Sequence, residues 1–202
     1  MKKLSYAIMI AIAAYAFQGC SGANKDAKES ADSTNAAKDT TKMDSTAKDT
    51  TKMSGAMAVS TDDSKFATDV ANGGLAEVAL GKLAQTKATN PQVKSFADMM
   101  VKDHSKANDE LMAIAKAKNI TLPSAPDADH QKKLDDLSKL SGKDFDKAYV
   151  DAMVDGHKKT LDLLKMGEKD CKDAELKAFA TKTAPVVQMH LDAINKIHDS
   201  MK

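Results

Sequence analysis

Four long apolar stripes at helical spacing, each interrupted by one glutamate or histidine, constrain this chain more than any other feature. In the first, Phe66, Val70, Gly73, Leu80 and Ala84 share a face with Glu77. In the second, Val93, Ala97, Met100, Ala107, Leu111 and Ile114 share one with His104. The third sets Phe145, Val150, Met153, Leu161 and Leu164 beside His157. The fourth sets Leu176, Phe179, Thr183, Val186, Ile194 and Ile197 beside His190. Recurrence every three or four residues marks an amphipathic helix with one face on a core, and no segment shows the period-two alternation of a strand.

The breaks between stripes set the order. Asn90-Pro91 pairs a capping side chain with a proline at the first helical position, so it ends a helix over 64–88 and opens one reaching about 118. NITLPSAP at 119–126 interrupts the pattern, and a shorter piece with Leu134, Leu137 and Leu140 follows. The third helix starts after Ser141-Gly142, and a polar turn at 170–173 leads to the fourth. Two tight hairpins joined by one long connection predict an all-α chain: an up-down four-helix bundle with a short extra helix in the 2–3 connection, over residues 61–202.

The N-terminal part has a different composition. MKKLSYAIMIAIAAYAFQGC has two lysines, an apolar run too short to span a bilayer, and Gly-Cys, the pattern of an export signal over residues 1–19. Ala14-Tyr15-Ala16 offers a conventional cleavage site. Phe17-Gln18-Gly19-Cys20 resembles a lipobox and makes Cys20 the expected lipidation site, with Phe17 standing where leucine is usual. Residues 20–60 are rich in Ser, Thr, Lys, Asp and Ala, and AKDTTKM at 37–43 returns at 47–53. With few large apolar residues to offset ordering entropy, this segment is expected to be a disordered tether. Its Asp-Ser-Thr and Asp-Thr-Thr triplets also resemble an O-glycosylation pattern, the alternative to a bare tether.

Charge and composition exclude nucleic acid as a partner. The net charge is +1, and all 30 basic residues are lysine, so no guanidinium is available to grip guanine or phosphate. Aromatic residues are too few for base-stacking platforms. No nucleophile elbow, phosphate loop or Cys-x-x-Cys is present. Most of the 12 methionines fall where helices need flexible filler. If Cys20 carries lipid, Cys171 has no disulfide partner within the chain.

Glu77 lies 13 positions before Asn90 and His104 lies 14 after it, so at about 1.5 Å per residue the two are nearly level. His157 lies 13 before Asp170 and His190 lies 17 after Asp173, a mismatch of about one turn. One polar layer near mid-bundle is therefore expected, with Glu77, His104, His157 and His190 as candidate ligands for one transition metal ion: zinc, iron, manganese or copper. Asp103 and Asp151 are candidates to orient an imidazole. A standard di-iron centre is excluded, because Val101, Val154 and Val187 stand three before each histidine where Glu-x-x-His is required. The competing reading is a buried polar network in which Glu77 pairs with one histidine and fixes register. His130 and His198 are expected to be exposed.

GGLAEVALGKLA (73–84), NPQVKSFADMMVKDHSKANDEL (90–111), LSKLSGKDFDKAYVDAMVDGHKK (137–159) and DAELKAFATKTAPVVQMHL (173–191), in this order, resemble the bacterial family of exported bundles called domain of unknown function 4142, whose members are described as predicted outer membrane proteins. The resemblance implies a ferritin-like bundle at the cell envelope and implies no reaction. It carries the family's Glu onto Glu77 and its motif histidines onto His104, His157 and His190. The chain departs at Gly156, where the family has Asp before His157, and at Ala184, where Leu precedes Pro185. Pro185 is expected to kink the fourth helix.

Two functions remain open on the sequence. The preferred one is a non-enzymatic lipoprotein, anchored through Cys20 to the envelope (periplasm or outer membrane), with a binding or stress-related role. The alternative is a mononuclear metal-binding or redox protein using the mid-bundle layer. A third reading is a bundle that opens at Gly73-Gly74 and Pro185 to take an apolar ligand or a partner helix.

Overall fold

A computed structural model describes residues 26–39 and 59–202. The export signal, Cys20 and the second copy of the AKDTTKM repeat lie outside these residues. The described chain forms helices α1 (Ala27–Lys38), α2 (Thr61–Lys87), α3 (Pro91–Ala117), α4 (Ala128–Ser138), α5 (Gly142–Asp170) and α6 (Ala174–Ser200). Capping side chains fix the starts. Ser60 accepts from the Asp63 amide, Asn90 from Gln92, and Asp173 from Glu175 and Leu176. Each such cap satisfies an amide that the helix itself cannot.

The four long helices α2, α3, α5 and α6 form the expected bundle. Contacts along their lengths give the directions. Asp63 near the start of α2 bonds the amides of Lys172 and Asp173 beyond the end of α5, and Asp146 near the start of α5 bonds those of Thr89 and Asn90 beyond the end of α2. Glu110 and Lys118, late in and just after α3, pair with Lys182 and Asp173 at the N-terminal end of α6. The order is thus up, down, down, up. The connection from α3 to α5 must travel the length of the bundle, about 40 Å for helices of 27 residues. It does so along the α2–α5 side, carrying α4, with Asn72 of α2 exchanging hydrogen bonds with Asp127.

The core is built from the predicted stripes. Met100, Phe145, Met153, Leu164, Leu176 and Ile194 are fully enclosed, and burying a side chain of this size contributes about 1.5–3 kcal/mol. In α6 the stripe is one residue off at one point: Val187 is buried and Val186 is 38% exposed. The run Pro185-Val186-Val187 offers two adjacent valines to a single inward position. Helix α6 continues through Pro185 without interruption.

The expectation of a disordered tether across 20–60 is corrected for residues 26–39. Helix α1 lies on α2 and on the loop after α3. Lys28 bridges Asp32 and Asp69, Asp32 also meets the Thr68 hydroxyl, and Asn35 both donates to the Thr121 carbonyl and accepts from its amide. Asp39 accepts from the Thr61 amide at 2.9 Å. The segment is ordered by polar pairing around the buried Ala31, not by a large apolar face, which is why composition underestimated it.

Candidate metal centre

His104, His157 and His190 meet in the middle of the bundle. Their ring centroids are 5.2 to 5.7 Å apart, and one nitrogen of each lies within 4.8 Å of the others. All three are buried, at 6%, 0% and 1% exposure, deep enough that bulk water cannot complete their hydrogen bonding. The four-helix order explains the convergence. All three rings share one layer despite the one-turn mismatch counted from the α5–α6 turn.

Each imidazole has one nitrogen held and one left over. His157 Nδ1 donates to the Met153 carbonyl at 2.8 Å, and because a carbonyl only accepts, the lone pair falls on Nε2. His190 Nε2 donates to Asp103 at 3.1 Å, leaving Nδ1. His104 Nδ1 lies 2.8 Å from Glu77 Oε2, an ion pair by distance in which the N–H is poorly aligned with the oxygen, leaving Nε2. His104 Nε2, His157 Nε2 and His190 Nδ1 are all buried without a hydrogen-bond partner. Buried nitrogens of this kind are rare unless something else satisfies them.

Glu77 belongs to the same layer in a different role. It sits beside the three-nitrogen cluster, contacting His104, standing 3.8 Å from His157 Nδ1 and accepting from the Thr160 hydroxyl at 3.3 Å. The three histidines are the candidate ligand set, and Glu77, whose Oε2 is also buried without a hydrogen-bond partner, stands against it. Asp103 orients His190 as the sequence suggested. Asp151 does not reach the layer and pairs with His198 at 3.3 Å. Gly156 does not leave His157 loose, because the Met153 carbonyl takes the place of a carboxylate. His130 and His198 are half-buried and lie 2.7 Å from Asp127 and 3.3 Å from Asp151, not freely exposed. Thr160 and the carbonyl of Met153 escaped the sequence reading. Thr160, three residues after His157 on α5, carried a spacing signal, whereas a carbonyl carries none.

The electrostatics separate the groups. Burial opposes ionisation of Glu77, but the charge and contact of His104, with smaller help from His157 and Thr160, hold its carboxyl down to about 2. Burial also works against His104, and Glu77 overcomes it, so His104 binds its proton more tightly than a free imidazole. His157 is lowered by burial, and the His104 charge adds to this against the pull of Glu77. His190 is lowered to about 4 by burial and by His104, with Asp103 opposing. Without a metal the layer holds one proton, on His104 against Glu77, and two neutral imidazoles. Tyr149 is buried with an unpartnered hydroxyl, and burial raises its pKa further above its ordinary value.

Imidazoles fixed through one nitrogen and gathered in one layer suit a His₃ site for zinc, copper or iron, provided that His104 gives up its extra proton. At metal–nitrogen distances of about 2.0–2.1 Å the ligands of a tetrahedral ion would sit about 3.4 Å apart, so nitrogens up to 4.8 Å apart would have to close by up to about 1.4 Å. A tetrahedral ion held by three imidazoles would have a fourth position for water or another ligand.

Fold and site together define a class: a four-helix bundle with a buried histidine centre. Within it, the chain belongs to the family Domain of unknown function (DUF4142), whose profile matches residues 48–197. No match is found among curated proteins or among solved structures. Among the described residues no helix is long and apolar enough to cross a membrane.

Proposed function

We propose that this chain is a metal-binding protein of the cell envelope, holding one transition metal ion through His104 Nε2, His157 Nε2 and His190 Nδ1. Two observations carry this reading: each of the three rings keeps one buried nitrogen without a partner, and one nitrogen of each ring lies within 4.8 Å of the others. Glu77, Asp103 and the Met153 carbonyl orient the rings and raise their basicity. Zinc, copper and iron suit the donor set, and manganese less so, because no carboxylate stands among the ligands. Metal at His104 Nε2 displaces the Nε2 proton of the charged imidazole, while the Nδ1 proton stays against Glu77, so affinity rises with pH.

The single long crossover between α3 and α5 supports a ferritin-like architecture. Residues 1–19 act as the export signal, and Cys20 carries the lipid that fixes the bundle to a membrane. The test is elemental analysis of the full chain, purified without chelator or histidine tag, beside a His104→Ala variant. One equivalent of metal in the parent, lost in the variant, is expected. Absence of metal from both, with the variant only less stable, makes the layer a structural polar network.

A further inference from the structure

A cavity of about 160 Å³ opens between α2, α4 and α5, lined at its inner end by Glu77 and Met153 and at its outer end by His130, Lys133 and Lys159. It has room for several water molecules. Two glycines in helix interiors, Gly73 and Gly156, line it. Elsewhere in these helices glycine is demanded by contact. A Cβ on Gly74 would lie 2.1 Å from Asn108, on Gly81 2.9 Å from Val101, and on Gly167 2.4 Å from Phe66. A Cβ on Gly73 would meet only Thr160, at 3.7 Å, and one on Gly156 would meet nothing within 4 Å. A helix-interior glycine is unfavourable relative to alanine, so what Gly156 supplies is open space.

The polar groups along this space form a sequence of donors. His130 Nδ1 is held by Asp127 at 2.7 Å, and Asp127 is itself held by the buried Asn72, which puts the His130 lone pair on Nε2. Glu77 lines the cavity and also contacts His104 and stands 3.8 Å from His157 Nδ1. None of the three imidazole ligands lines the cavity, so a solute within it meets Glu77 before it meets them. Lys133 is half-buried and Lys159 exposed at the mouth, where their long stems can carry the ammonium groups into solvent.

We propose that this cavity is the route by which a divalent cation reaches the three imidazoles, with His130 and then Glu77 as successive transfer ligands. The proposal rests on the metal-binding reading, and rate and stoichiometry separate the two. The full chain, freed of metal, is mixed with zinc(II) held by a chromophoric chelator, and transfer is followed by stopped flow. Parent, Gly156→Ala, Gly156→Leu and His130→Ala are compared, with circular dichroism to verify folding.

All four should take up one zinc at equilibrium. Transfer should slow at least tenfold in Gly156→Leu, less in Gly156→Ala, and severalfold in His130→Ala. A folded Gly156→Leu that fills at the parental rate overturns the route and leaves the metal site standing. A parent that binds no zinc overturns both. If Gly156→Leu does not fold, a parental rate in both Gly156→Ala and His130→Ala overturns the route, and slowing in both supports it.

Discussion

Asp63 and Asp146, at opposite ends of the bundle, are as buried as the imidazoles at its middle, at 3% and 2% exposure. Yet both of their carboxylate oxygens are spoken for. Asp63 accepts from the amides of Lys172 and Asp173, and Asp146 from those of Thr89 and Asn90 and from the Thr89 hydroxyl. Each hairpin sends an aspartate from its first helix into the turn of the other hairpin. At the middle, by contrast, every imidazole keeps one nitrogen without a partner. Equal burial with opposite satisfaction separates the two jobs. A complete set of hydrogen bonds holds the fold together, and the incomplete set at the middle is what the proposed metal would complete.

The largest effect is expected at the ends. Asp146→Ala removes the charged acceptor of two backbone amides and of the Thr89 hydroxyl and should cost on the order of 3–5 kcal/mol, seen as a lower urea midpoint with unchanged slope. Metal content should not change in the fraction that folds. If Asp146→Ala is as stable as the parent, the division between ends and middle fails at the end that defines it.

Acid should expose the middle. For His190 the folded pKa of about 4 lies below the ordinary 6.5. Its neutral form therefore contributes stability that is complete above 6.5 and is lost as pH falls toward 4, where the unfolded chain takes up a proton and the folded chain does not. At about 1.4 kcal/mol per pH unit, that window removes about 3 kcal/mol. His157, also lowered, adds to the loss in the same direction. His104, raised, acts in reverse: its contribution is full below 6.5 and is lost as pH rises through its folded value. Denaturation of the metal-free chain between pH 7 and 4 should show a steeper fall in the parent than in His190→Leu. Parallel curves would mean that His190 titrates as it does in water.

Much of this division was legible in the sequence, and the rest was hidden for physical reasons. The four stripes, the long connection and the layer of His104, His157 and His190 follow from periodicity, because burial repeats every three or four residues along a packed helix. Asp103 could be named because it precedes a layer histidine. Asp63 and Asp146 could not be singled out. An acidic residue in the first turn of a helix is ordinary surface chemistry, and only the meeting of two hairpins makes these two into clamps. Glu77 was grouped with the ligands because its height and face match theirs, while the distinction between touching a metal and bracing an imidazole is a matter of a few ångströms. Helix α1 was missed because alanine and asparagine give almost no periodic signal.

A smaller effect should come from metal. With free zinc at one hundred times its dissociation constant, binding adds about 2.7 kcal/mol to the stability of a chain that binds only when folded. The gain should be present in the parent and in Gly156→Ala, and absent in His104→Ala. Thermal denaturation with and without zinc measures it. An equal shift in His104→Ala would place the ion elsewhere, on the surface carboxylates or His198.

The smallest prediction concerns Gly156 and cuts across the comparison. Satisfied positions are expected to lose stability on substitution, whereas a position kept open for access is expected to gain it. Alanine at Gly156 meets no atom within 4 Å, adopts helical dihedral angles without strain and reduces the freedom of the unfolded chain, so Gly156→Ala should be more stable by about 0.5–1 kcal/mol. Gly167→Ala is the control, since its Cβ would lie 2.4 Å from the Phe66 ring and the variant should be less stable. Opposite signs at two glycines eleven residues apart on α5 would show that the helix tolerates a side chain at one and that the parent forgoes it. A loss at Gly156 would instead make it a packing glycine like Gly167, and the cavity beside Glu77 a by-product of how α4 crosses the bundle.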